Sequence, residues 1–503
     1  MKLLSRTLVL FTLLLSTPLL AKPLQIVAPL EVSSMEPDQN GYLFTRLQVA
    51  ETLVSVDKNG QLSPLLATEW HVSADGLTWR FTIRPHVQFH DGSELNTRQV
   101  KAALDKARRA TGVLSQAPIR TIEAHEQVVL IHLHQAFAPL PAYLANYSTQ
   151  ILAPSAYDAN GKVIAVIGTG PYQVNRIAMP LKVDLQRYPH YWQTPAQIEQ
   201  VHYLAVGKGE TRALMAQSGE ADLVISLLPM SVASIKRAPK LDVQLVTLPR
   251  TRMLKLNAAS PFFQDARVRQ ALSLGLDRQG MAQAILRNPA LAATQLFPPT
   301  VQSWHDPELP DLAFNLEKAR ALLAEAGWKP GSDGILTREN QPFRVTLTTF
   351  SSWPELPVLA TAIQAQWRKL GIDLAVSVGN SSEIVSKHRD GSLQIGLLSR
   401  NFSLTPDPVA TMNSDFGPQG GDWGAMGWSD QALTQHLDQL LSGHLSPEAQ
   451  QSARHQIVKT LQQQLPVIPL AWTELVVVSS KQLKNVYVDP FELSYHIAQM
   501  QWK

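Results

Sequence analysis

Apolar positions along this chain switch period again and again. LQIVA, Leu24–Ala28, is a continuous apolar run of strand length. Residues 62–84 hold two alternating runs around the turn SADG, the pattern of a β-hairpin. VQFHDG ends in an Asp-Gly turn, and Asn96 then caps TRQVKAALDKARR, which sets Val100, Ala103, Leu104 and Ala107 on one helical face. QVVLIHLH, residues 127–134, reads as a strand, IGTGPY as a turn into YQVNRI, and residues 210–216 as a short helix before GEADLVIS.

A second organisation begins near Asn257. A helix is expected from Asp265, with Val268, Ala271, Leu272 and Leu276 at helical spacing. LEKARALLAEAGW is a helix stopped by Gly327, and LATAIQAQWRKLGI is one stopped by Gly371. PFRVTLTTF, IDLAVSV and LQIGLLS read as strands, residues 447–464 as a long helix, and VIPLAWTELVVVSS as a strand. Strands alternating with helices predict α/β lobes with mainly parallel sheets.

Composition sharpens this picture. The chain has 503 residues, too many for one core, so two lobes are expected. Lys2 and Arg6 precede the apolar run LVLFTLLLSTPLLA, residues 8–21, which ends in a small residue. Residues 1–21 are therefore expected to be a secretory signal peptide. There is no cysteine, so neither a disulfide nor a lipid anchor on cysteine is available, and a free periplasmic protein is expected. The net charge is +3 with no basic block, so nucleic acid is not a partner.

Catalytic signals are few. His90-Asp91-Gly92 reads as a tight turn before the helix at Asn96. Gly168-Thr169-Gly170 lacks the lysine and third glycine of a phosphate loop and reads as a packed turn. His132 and His134 alternate on a strand, a metal-pair spacing with no third ligand nearby, so no protein metal site is expected. No GxSxG nucleophile elbow is present, and an exported hydrolase is left as a remote alternative.

Six stretches in order carry a resemblance: residues 62–100, IGTGPYQV, RYPHYW, GEADLV, MLKLNAASPFFQDARVRQALSLGLDR and LLAEAGW. In these the chain resembles the family 5 solute-binding proteins of ABC transporters, the peptide- and nickel-binding class. The resemblance implies an α/β, two-lobed periplasmic-binding-protein fold (class II, cluster C type) with an extra subdomain on lobe I. It implies no enzymatic activity and no cofactor. Lobe I would take residues 22–258 and 476–503, with a subdomain at about 54–165, and lobe II residues 259–475. The implied protein is a monomer that binds a small-molecule ligand between the lobes and delivers it to an ABC permease at the inner membrane.

The resemblance also places SRNFSLTPDP, residues 399–408, on the cleft wall. The peptide-binding branch carries an acid three residues before the final acid of that segment, where it captures a free amine. Here that position is Leu404. Arg400 and Phe402, flanking Asn401, are similar to the nickel and metallophore branch, and an arginine suits a carboxylate. Arg400 is open to two roles, ligand contact or ion pairing within the protein. Arg108 and Arg109 are either a second cationic contact or cations placed at a helix C-terminus. Tyr42 and Phe44 would lie on a first loop lining the cleft, and Trp423 and Trp428 would stack on ligand or form a lid. Two departures stand out. The nickel branch's arginine before an IAPS-like stretch is missing, with Tyr147 and Gln150 there instead, and MNSDFGPQGGDW offers no histidine after Asp-Pro. The implied ligand is a nickel chelate or metallophore, with a short peptide or haem-type solute as the alternative.

Overall fold

The computed structural model describes residues 22–503, so the expected signal peptide lies outside the described residues. One sheet of ten strands runs through both lobes. Its second-lobe end has Asp373–Gly379, Arg344–Phe350 and Ile395–Asn401 in that order. Two long strands follow, Leu241–Leu256 and Val467–Ser480. The first-lobe end has Leu223–Ile225, Leu24–Ala28, Gln200–Ala205, Lys182–Arg187 and Tyr172–Ala178.

The long strands pass from one apolar core to another. Leu248, Leu475 and Val477 belong to the first-lobe core, whereas Met253, Leu254, Val467 and Ile468 belong to the second. Their antiparallel pairing shifts register between Leu248 and Thr251 and again between Arg252 and Met253. The expected crossing at Ala258 lies beyond the end of the first strand, and the one at Leu475 lies on the second. A third core belongs to the four-stranded antiparallel sheet of Ala67–Val72, Thr78–Ile83, Val128–Leu133 and Ile119–His125. The helix Thr97–Ala107 packs on that sheet, and these elements fall inside the interval expected for the subdomain.

Local signals explain the elements that were legible. Asn96 accepts from the backbone N–H of Arg98 and Gln99, and Gln99 accepts from the Asn96 N–H, a complete capping box. Asp265 caps the helix Ala266–Leu274. Gly76 turns the hairpin at a φ of 72°, a left-handed conformation that costs glycine little. The turn readings at residues 90–92 and 168–170 agree with the structure. His90 is packed, with Nε2 3.0 Å from the Gly170 carbonyl, and burial pushes its imidazole down to about 4.

The expectation of mainly parallel sheets is corrected to a mixed sheet. Leu24–Ala28 is parallel to both neighbours, as is Arg344–Phe350, but the two crossing strands are antiparallel to theirs. Two strands that join the same pair of lobes in opposite directions must pair this way. The 16-residue crossing strand was itself invisible in the hydropathy pattern. Pro249, Arg250, Arg252 and Lys255 interrupt its alternation.

Gly170 lets two stretches of first-lobe backbone pass close together. A Cβ there would lie 2.2 Å from the Gln48 carbonyl oxygen, which is backbone and has no rotamer to escape. Gly170→Ala is expected to destabilise the protein by about 1–3 kcal/mol. Urea denaturation followed by tryptophan fluorescence checks this, and an unchanged midpoint would refute it.

Candidate functional site

Ligand clefts in open α/β sheets form beyond the carboxyl ends of parallel strands. In the second lobe those ends carry the loop with Trp353, after Arg344–Phe350, and the segment from Phe402 to Pro408, after Ile395–Asn401. The helix Pro37–Arg46, the short turn Tyr147–Thr149 and the C-terminal segment around Glu492 face them from the first lobe. The lobes touch directly. Asn146 Nδ2 donates to the Leu404 carbonyl at 2.6 Å, and the Ala138 N–H donates to the Leu441 carbonyl at 2.8 Å.

Arg400 is clasped from within the wall. Its Nε and Nη2 donate to the two carboxylate oxygens of Asp415 at 2.6 and 3.0 Å, a bidentate pair. The Asp415 side chain is 2% exposed and that of Arg400 13%. Burial pushes the Asp415 carboxyl up, and Arg400 and Lys255 oppose that push. Lys255 is fully buried, with Nζ 2.9 Å from the Asp422 carbonyl and in contact with the Gly421 carbonyl. Desolvation lowers its ammonium to about 7 against the pull of Asp415 and Asp422. Through those carbonyls Lys255 ties down the glycine-rich loop that carries Trp423.

The other expected residues separate into faces and supports. Tyr42 lies on a helix rather than the loop expected, because Pro37 and Asp38 start that helix early. Its ring meets Tyr147 edge-on at 5.6 Å and lies 5.4 Å from the Arg46 guanidinium. Phe44 is fully buried in the first-lobe core. Phe402 is 1% exposed and packs on Phe297 at 4.8 Å, so both phenylalanines shape their walls from behind. Asn401 accepts from the Ser403 N–H and hydroxyl, which fixes the chain as it leaves the strand. Trp423 and Trp428 rest partly buried on the second-lobe core. Arg108 pairs with Asp105 at 3.1 Å and reaches the Arg120 carbonyl, while Arg109 is exposed.

Leu404 is 36% exposed at the position where an amine-binding acid would stand. Asp407 is committed elsewhere: it accepts from Trp304, from Arg454 and from the Val409 N–H that opens the next helix. Gln150 is 3% exposed, and neither atom of its amide has a partner among the described residues. Sequence reasoning noted Gln150 as a substitution but missed Arg46, Arg250, Trp353 and Glu492. Strand register alone reveals the first link, since Arg250 lies opposite Asn401. His132 pairs with Glu123 and Thr78, and among the described residues no group of three or more His, Asp or Glu is placed to hold a metal ion. No described helix is long and apolar enough to cross a membrane. A polar cavity of about 290 Å³ lies on the first-lobe side, lined by residues including Thr45, Glu51, Tyr147, Tyr191 and His496.

Two lobes joined by crossing strands, with opposed polar walls, define a ligand-binding class of fold. Residues 61–423 match the family described as bacterial extracellular solute-binding proteins, family 5 Middle, and the chain belongs to that family. It is 28% identical to the nickel-binding periplasmic protein of Escherichia coli K12, over 92% of this chain and 90% of that one. The glutathione-binding protein GsiB of Salmonella typhi is 31% identical over 56% of each chain. Among solved structures, NikA from Brucella suis in complex with Fe(III)-EDTA superposes with a TM-score of 0.87, at 24% identity, covering 96% of this chain and all of that one. The oligopeptide-binding protein AppA from Bacillus subtilis, in complex with a nonapeptide, gives 0.77 at 19% identity, covering 96% and 99%. At these identities the structural likenesses establish the fold. Members of this family bind small solutes for ABC importers and are not enzymes.

Two outcomes follow from the wall. Arg400→Ala leaves a buried carboxylate unpaired, and the protein should lose about 3–5 kcal/mol in urea without any ligand added. Replacing both partners, Arg400→Met with Asp415→Leu, should recover much of that loss; equal stability of wild type and Arg400→Ala would refute the pairing. Lys255 sets the second. Its folded-state pKa of about 7 lies below the ordinary 10.5, so the unfolded chain binds more protons between those values. Its contribution to stability therefore rises as pH increases through that interval. The stability difference between wild type and Lys255→Met should shift in favour of wild type from pH 7 to pH 10. A difference independent of pH would refute this.

Proposed function

We propose that this protein captures a transition metal in chelated form, nickel first, in the interlobe cleft and delivers it to an inner-membrane ABC permease. The carrying observation is the charge of the cleft walls. Arg46 and Arg250 share Glu492, Arg252 pairs with Glu355 and Arg400 with Asp415, so four arginines meet three carboxylates in these clusters. An excess of cations favours a ligand rich in carboxylates. Leu404 supports the same reading, because a desolvated ammonium with no acid opposite is costly. The lack of a protein ligand cluster among the described residues leaves the metal's coordination to its chelator. Gln150 adds a neutral donor and acceptor where the nickel branch carries an arginine. The nickel-binding relatives support this class of cargo.

In this reading the protein is exported to the periplasm behind residues 1–21 and acts as a monomer. Arg400 keeps one guanidinium nitrogen beyond the Asp415 clasp for a ligand carboxylate. Tyr42, Tyr147 and Trp423 supply flat faces, and Asn401 and Phe402 fix the wall behind them. Arg108 is a more distant cation. Phe44 holds the helix that carries Tyr42. The lobes close about the register shifts of the crossing strands, and the Asn146–Leu404 hydrogen bond is part of the closed state.

Thermal unfolding with nickel plus histidine, nickel plus a carboxylate-rich chelator, nickel alone, and di- to pentapeptides tests this. A chelate at a hundredfold excess over Kd should add about 2.7 kcal/mol of stability and raise Tm accordingly. A rise with peptides alone would overturn the assignment in favour of a peptide cargo.

A further inference from the structure

At the join between the lobes, three charges from three separated parts of the chain meet. Arg46 ends the first-lobe helix, Glu492 lies in the C-terminal segment, and Arg250 sits on the crossing strand at its register shift. Arg250 Nη2 donates to Glu492 Oε2 at 2.8 Å. Arg46 Nη2 lies 3.5 Å from Glu492 Oε1, and Arg46 Nε donates to the Glu492 carbonyl at 2.6 Å. All three side chains are largely enclosed, between 15% and 18% exposed. Burial alone would raise the Glu492 carboxyl, but Arg46 and Arg250 outweigh it and hold it below the ordinary range.

The charges do not cancel: two permanent cations share one carboxylate. Arg250 also places its guanidinium 5.3 Å from the Trp353 ring, which stands on the second-lobe loop at the strand ends. Tyr42 covers Arg46 from the other side. Glu492 has a φ of 56°, a left-handed conformation unfavourable for a side chain of this kind. Simple ion pairing at a surface would not need a strained backbone held by two arginines. The arrangement is a cluster with one net positive charge, flanked by the Tyr42 ring from the first lobe and the Trp353 ring from the second.

We propose that Arg46 and Arg250, spaced by Glu492, form an anion subsite that receives one carboxylate arm of the cargo, with Trp353 as its flat wall. Glu492 sets the strength of this subsite, because it already neutralises half of the positive charge. The proposal rests on the cleft being the ligand site and deepens the chelate reading by requiring more than one carboxylate on the chelator. Arg250 spans the join between the lobes, so a carboxylate bound there favours their closed arrangement.

Isothermal titration of the mature protein with nickel–citrate, nickel–histidine and metal-free citrate tests this at low and moderate salt. Arg250→Gln should weaken nickel–citrate binding by about tenfold or more relative to nickel–histidine. Glu492→Gln should strengthen nickel–citrate binding, with the gain shrinking as salt rises. If Glu492→Gln does not fold, Arg250→Lys is the second variant. It keeps the charge but loses the fork, and should retain the citrate preference more fully than Arg250→Gln. Equal weakening of all three probes by Arg250→Gln, or no change in any, would overturn the subsite. If wild type binds metal-free citrate but neither nickel complex, and Arg250→Gln abolishes that binding, the subsite stands and the nickel assignment falls.

Discussion

Two antiparallel strands carry the connection between the lobes, and they must satisfy two cores at once. Each contributes apolar residues to the first-lobe core over one half and to the second-lobe core over the other. Between the cores the first strand turns polar although most of it stays buried, and it lies opposite the buried Ala471, Trp472 and Thr473 of the second. The chain places Pro249, Arg250, Thr251 and Arg252 in that gap, and the ladder shifts register there twice. The backbone stays paired while the side chains become polar. Arg252 donates to Glu355 and to the Trp472 carbonyl, and the Thr251 hydroxyl donates to the Leu296 carbonyl. Of the gap residues only Arg250 keeps its side chain partly exposed, where it meets Glu492 of the C-terminal segment and the Trp353 ring.

Backbone carbonyls hold several of the buried cations in this protein. Lys255 reaches two carbonyls of the glycine-rich loop, Arg278 is held by Pro469 and Ser273, and Arg269 by Phe263, Gln264 and Gln464. Such side chains fix loops without a net apolar contact, at a desolvation cost that lowers the pKa of Lys255 to about 7 and that of Arg278 to about 9. Around the cleft the pattern differs. Arg400 and Arg250 are each bound to one carboxylate with donors remaining, and Gln150 has no partner at all among the described residues. Incomplete satisfaction of buried polar groups is destabilising in itself.

Elements with strong local signals were legible in the chain. The capping box at Asn96, the hairpin turn at Gly76 and the helix stops at Gly327 and Gly371 are short-range chemistry, and the structure forms them where the pattern puts them. The order of motifs also led to the right family and a two-lobed fold. What failed was the sheet direction and the crossing strand. Alternation is erased where a strand leaves one core for another, and strand direction is a property of the whole topology. The site residues were only half legible for a similar reason. A motif position such as Arg400 shows that a cation lies near the cleft, but not that Asp415, fifteen residues on, folds back to clasp it.

The sequence by itself determined the family, the absence of disulfides, the local starts and stops of helices, and the missing acid at Leu404. All of these depend on neighbours a few residues apart or on which residue type is present. Only the tertiary structure decided which charges meet. Arg46, Arg250 and Glu492 are separated by hundreds of residues, and their meeting depends on how two lobes and a C-terminal segment close around one pair of strands. The same holds for burial: Phe44 and Phe402 look like Tyr42 in the chain, yet two are core rings and one is partly open. Composition sets what chemistry is available, and the long-range packing of the sheet sets which of it faces the ligand.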